Sequence, residues 1–86
     1  MVETVVIKEK INSSLEMNST AVEFLEGVNK IDDFEVVVDF TGVVFVSRSF
    51  AQSYFSTKVK LDKNIIETNI PKEVKPLMDM IKRKFE

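Results

Sequence analysis

Residues 35–40, Glu-Val-Val-Val-Asp-Phe, constrain the fold more than any other stretch. Three consecutive valines suit a strand covered on both faces, as in a mostly parallel sheet. Thr41-Gly42 breaks the strand. Val43-Val44-Phe45-Val46 is too apolar for a solvated loop and reads as a crossover tucked into the core. Ser47-Arg48-Ser49 is a polar turn, and a helical pattern begins at Phe50. This order places hydroxyls and free backbone N–H groups at the carboxyl end of a central strand, where open α/β sheets bind ligands.

The flanking segments support the same class. Residues 2–11 read as a first strand centred on Val5, Val6 and Ile7, and Leu15-Glu16-Met17 as a short second one. Thr20-Ala21-Val22-Glu23 has the pattern of a capping box with Thr20 as N-cap. Ala21, Phe24, Leu25, Val28 and Ile31 continue at helical spacing. Gly27 interrupts that helix, and close packing onto the sheet is the expected reason. The second helix covers about residues 49–58, with Phe50, Ala51, Tyr54 and Phe55 as its inner face. Its N-cap is either Ser47 or Ser49, the latter with Gln52 completing a Ser-x-x-Gln box. Ile65–Thr68 is a further strand. Val74, Leu77, Met78, Ile81 and Phe85 place the last helix within residues 71–85, with Pro76 in its first turn. Strands alternating with helices predict a single α/β domain over residues 1–86, with a mixed, mainly parallel sheet of about four strands and three helices.

Composition excludes much chemistry. With no Cys and no His, neither a thiol nucleophile nor a Ser-His-Asp triad can be built from this chain. Asp32-Asp33 has no partner carboxylates at metal-ligand spacing. No catalytic residue, metal or cofactor is therefore expected, and the chain reads as a non-enzyme. No apolar run approaches the ~20 residues that span a bilayer. Glu3 stands where a signal peptide would be basic and then apolar, so a cytoplasmic protein without a membrane partner is expected. The formal charge of −2 is uneven. Residues 1–57 hold four basic and nine acidic side chains, and residues 58–86 hold eight and five. A basic C-terminal helix follows, which raises nucleic-acid binding as an alternative function. Phe85 belongs to the buried stripe of that helix, and without an exposed aromatic for stacking nucleic acid is the weaker choice.

Asp39-Phe40-Thr41-Gly42, the apolar stretch after it and Ser47-Arg48-Ser49 resemble the signature of the STAS domain of anti-sigma-factor antagonists and sulfate transporters. Asp39-Phe40, Val43, Ser49-Phe50-Ala51 and the downstream Asn69-Ile70-Pro71-Lys72-Glu73-Val74 are similar, more closely, to a STAS-like family of unknown function. The resemblance spans most of residues 18–85. It implies a STAS-like fold and a regulatory protein-interaction module, with a kinase or GHKL-type ATPase as the kind of partner. Ser49 falls where the antagonists carry their phosphorylatable serine, Ser47 where they carry Asp, Arg48 on their first Ser and Phe50 on their Gly.

The candidate partner- or anion-binding residues are Asp39, Thr41, Gly42, Ser47, Arg48, Ser49 and Gln52, with Ser49 the candidate phosphoacceptor. Arg48 is the first of two arginines, and its planar fork suits a phosphate or carboxylate better than Lys does. Asp39 is expected to accept hydrogen bonds from the turn that follows it.

Overall fold

The computed structural model describes residues 2–85. It is an α/β fold in which every strand pairing is parallel. In chain order the elements are β1 (Val2–Val6), α1 (Ile7–Lys10), β2 (Ser14–Leu15), α2 (Asn18–Asn29), β3 (Glu35–Asp39), β4 (Phe45–Val46), α3 (Arg48–Lys58), β5 (Asn64–Thr68) and α4 (Lys75–Lys82). A 3-10 turn at Arg83–Phe85 follows α4. Among the described residues the expected mixed sheet of four strands is replaced by two parallel sheets, β1-β3-β5 and β2-β4, and there are four helices rather than three. Among the described residues no helix is long and apolar enough to cross a membrane.

The valine run is the central strand, flanked by β1 and β5. It is not covered on both faces. Val36 and Val38 are fully buried, while Val37 between them is half-buried. The strand order explains this. Moving from β1 to β3 to β5 always steps the same way, and crossovers of one hand that step one way put every helix on one face. The burial follows the register: Val5, Val36, Val38 and Ile65 lie on the helix-covered face. Thr4, Val37 and Ile66 form a row across the opposite face, where Thr4 and Ile66 are exposed.

The first strand is shorter than its apolar pattern. It ends at Val6, and Ile7–Lys10 forms a single helical turn that sends Ile7 into the core. Val43–Val46 is only half core. Val43 and Val46 are buried, but Val44 and Phe45 face solvent, and Phe45–Val46 pairs with Ser14–Leu15. That short pair launches α2 and α3 side by side, and their packed faces form much of the core.

Helix α2 starts at Asn18 with Met17 at the N-cap position and no side-chain cap, so the box at Thr20 does not form. Gly27 is exposed, and a methyl group built on it would meet nothing within 4 Å. Close packing does not account for this glycine, which weakens the helix by about 1 kcal/mol relative to Ala. Gly42, by contrast, is required. It has φ +83° in the turn closed by Val43 N–H donating to the Phe40 carbonyl, and an added Cβ would lie 2.8 Å from Lys8 Cδ.

Candidate functional site

The hydrogen bonds divide the seven candidate residues into two groups. The first lies at the carboxyl end of β3. One Asp39 oxygen accepts from Thr41 N–H (2.9 Å), Thr41 Oγ1 (2.6 Å) and Asn69 Nδ2 (3.1 Å). The bond from the Thr41 hydroxyl, then that from the Thr41 amide, then that from Asn69, holds the Asp39 carboxyl below its ordinary value. A depressed carboxylate pKa stabilises the fold above the unfolded value and loses that effect as pH falls through the folded one. Asp39 thus clasps its own turn, as expected, and ties it to the residue after β5. Asn69 is left-handed (φ 55°), a conformation Asn tolerates better than most residues. Lys8, from the α1 turn, lies across Gly42.

The second group opens α3. Ser47, not Ser49, is the N-cap. Its Oγ accepts from Phe50 N–H at 3.0 Å and donates to the Glu16 carbonyl at 2.7 Å. Ser47 N–H donates to the Leu15 carbonyl at 2.8 Å, so the start of α3 is fastened both to β2 and to the residue that follows it. Arg48, Ser49 and Gln52 are exposed, and none makes a side-chain hydrogen bond among the described residues. No hydrogen bond or ion pair joins Arg48 to Asp39 among them.

The two serines therefore have different energetic roles. Ser47→Ala is expected to cost about 1 kcal/mol, the usual value of a lost N-cap. Ser49→Ala, an exposed change with no partner to lose, should stay within about 0.5 kcal/mol. Urea denaturation of both variants checks this, and equal losses would refute the assignment of the cap.

The same end of the molecule carries three of its exposed large hydrophobic side chains. Met17 is 65% exposed, Val44 68% and Phe45 48%. Met17 directly follows Glu16, whose carbonyl Ser47 holds, and Val44 N–H donates to the Ser13 carbonyl. Exposed apolar side chains thus stand on the two segments that lead to the Arg48–Ser49 turn and flank it. Sequence reasoning missed this because Val44 and Phe45 were assigned to the core, and only the β2–β4 pairing turns them outward.

Sequence reasoning also missed a buried polar network. The Tyr54 hydroxyl donates to Glu67 Oε2 at 2.8 Å, and Lys58 Nζ meets both Glu67 oxygens at 3.0 and 2.9 Å. Burial, then the nearby Glu67 charge, pushes the Tyr54 hydroxyl well above its ordinary pKa. Tyr54 is fully buried among Phe40, Phe50 and Phe55, with ring centroids 6.0, 6.4 and 5.0 Å away. The grooves beside β1, on the outer side of α4 and at the amino end of the sheet are lined by none of Tyr54, Lys58 and Glu67. The role of the network is to hold α3 on β5.

The basic helix is displayed as its sequence implies. Lys72, Lys75, Lys82, Arg83 and Lys84 are exposed, and Lys75 pairs with Asp79 at 3.5 Å. Phe85 packs against the core and leaves that face without an aromatic side chain. Comparison with protein-family models, curated proteins and solved structures finds no match.

Proposed function

We propose that this chain is a non-catalytic regulatory module that binds a protein partner through the surface around the α3 turn. The observation that supports this most is the position of Met17, Val44 and Phe45 on the segments that flank Arg48 and Ser49. Exposed apolar side chains flanking a charged, hydrogen-bonding turn have the make-up of a protein-binding surface rather than of a small-molecule pocket. The STAS resemblance points to the same turn and to a kinase or GHKL-type ATPase as partner. Ser49 is exposed at the second position of α3, where phosphate would add roughly −1.5 to −2 charge next to Arg48 and at the favourable end of the helix dipole.

The test uses Phe45→Ser, Arg48→Ala and Ser49→Asp, each checked for native circular dichroism and used as bait against lysate from the native cell. A partner retained by wild type should be lost with Phe45→Ser and weakened with Arg48→Ala, and Ser49→Asp should change its retention. If all three folded variants retrieve the wild-type set, this surface is not the interface. A salt-dependent shift of nucleic acid abolished by Lys75→Glu and Arg83→Glu would instead favour the alternative based on α4.

A further inference from the structure

Strand β1 is an edge of its sheet, and the outward N–H and C=O groups of residues 2–5 bond to no loop or side chain among the described residues. Along that edge runs a groove of about 620 Å³. Residues 3–6 form one wall, and four consecutive strand residues can line a groove only if it follows the backbone edge itself. The opposite wall is one stripe of α2: Thr20, Glu23, Phe24, Gly27, Val28 and Ile31. Gly27 sits in the middle of that stripe. It is exposed, with no neighbour where a Cβ would be, and so opens a notch in the helix wall.

The geometry points to a peptide-binding groove, in which an extended segment of another protein adds to β1 as a fourth strand under α2. Unpaired edge groups supply the backbone bonds for such an addition, and alternate side chains of the added strand enter the space beside it. Half-buried Ile31 and the accessible edge of Phe24 offer apolar contact, and the open space at Gly27 admits a large side chain beside them. The charge selects the partner. The lining carries Glu3, Glu9 and Glu23 against the single cation Lys10. A second copy docking edge to edge would set these carboxylates against their own counterparts. A segment with apolar residues at every second position and Lys or Arg between them matches the lining. This surface is separate from the α3 turn, and nothing in its case depends on that site.

The test is selection from a displayed library of random ten-residue peptides on the wild-type chain, after depletion on Gly27→Leu. Leucine favours the helix more than glycine does and fills the notch, so this variant should fold at least as well while blocking the groove. Enriched peptides should alternate apolar residues with Lys or Arg, bind Gly27→Leu at least roughly tenfold more weakly, and weaken with salt and with Glu3→Lys or Glu23→Lys. Hydrogen exchange of wild type with an enriched peptide should show new protection at β1 amides, a readout that stands even if Gly27→Leu does not fold. No enrichment, acidic or non-alternating peptides, or protection elsewhere than β1 would overturn the proposal. So would a wild-type dimer in sedimentation that Gly27→Leu turns into monomer, because the groove would then hold a second copy.

Discussion

Val38→Asp should leave the chain unfolded at 25 °C, whereas Val37→Asp, one residue away in the same central strand, should leave it folded. Val38 is fully buried on the helix-covered face of the sheet, beside Val5 and Glu67 in the register. Asp there would lose about 2 kcal/mol of apolar burial and add several more for an uncompensated carboxylate. Glu67, its cross-strand partner on β5, would oppose it. A chain of 86 residues has a total stability of roughly 4–13 kcal/mol, so this one change removes most or all of it. Val37 is half-buried on the face without helices, so an Asp there keeps access to water. Its cost should be about 1–2 kcal/mol, from lost β-propensity and from Glu35 and Asp39 on the same face. Circular dichroism and urea titration of both variants separate the two cases. A folded Val38→Asp, or an unfolded Val37→Asp, would show that the faces of the sheet are assigned the wrong way round.

That contrast marks where the sequence was legible. The β-branched run located the central strand, and helical spacing located α2, α3 and α4, because local pattern decides these elements. Which face of a parallel strand is covered depends on strand order, and Val-Val-Val looks the same with one face covered as with two. The order β1-β3-β5 was not written in any local motif. The start of α3 was undecided for a similar reason. Ser47 and Ser49 are both good caps locally, and the choice is made by the segment just after β2, where the Glu16 carbonyl takes the Ser47 hydroxyl. The turn that opens α3 was thus placed in the chain, while the contacts that shape its surroundings from a distance, made by Lys8, Glu16 and Asn69, were not legible. Val44 and Phe45 read as core because a two-residue strand is too short to show its alternation. One missed feature did leave a trace. Glu67 has the same strand parity as Ile65, so β5 puts a carboxylate on its buried face, and a buried carboxylate needs partners.

Glu67→Ala should accordingly be among the most damaging substitutions of a charged residue, at about 3 kcal/mol. The Glu67 side chain is 6% exposed and that of Lys58 19%. Removing the carboxylate strands the Tyr54 hydroxyl in an aromatic surround without an acceptor, at a cost of about 1–3 kcal/mol. It also leaves a partly buried ammonium unpaired, and breaking a buried pair from one side costs about 3–5 kcal/mol when the remaining charge cannot reach water. Lys58 retains some access to solvent, which places the expected loss at the lower end. Glu67→Gln keeps an acceptor for Tyr54 and should cost less than Glu67→Ala. The network also has a pH signature. The folded-state pKa of Tyr54 is raised, so its contribution is complete below the unfolded value near 10 and is lost as pH rises toward the folded one. Tyr54 is the only tyrosine and the chain has no Trp, so absorbance of tyrosinate reports this one group. In wild type, tyrosinate should form only above pH ~10 and together with unfolding followed by circular dichroism. Tyr54→Phe should remove this part of the alkaline loss of stability. A tyrosine that titrates near its ordinary value while the helices stay intact would mean that Tyr54 is not sealed between α3 and β5.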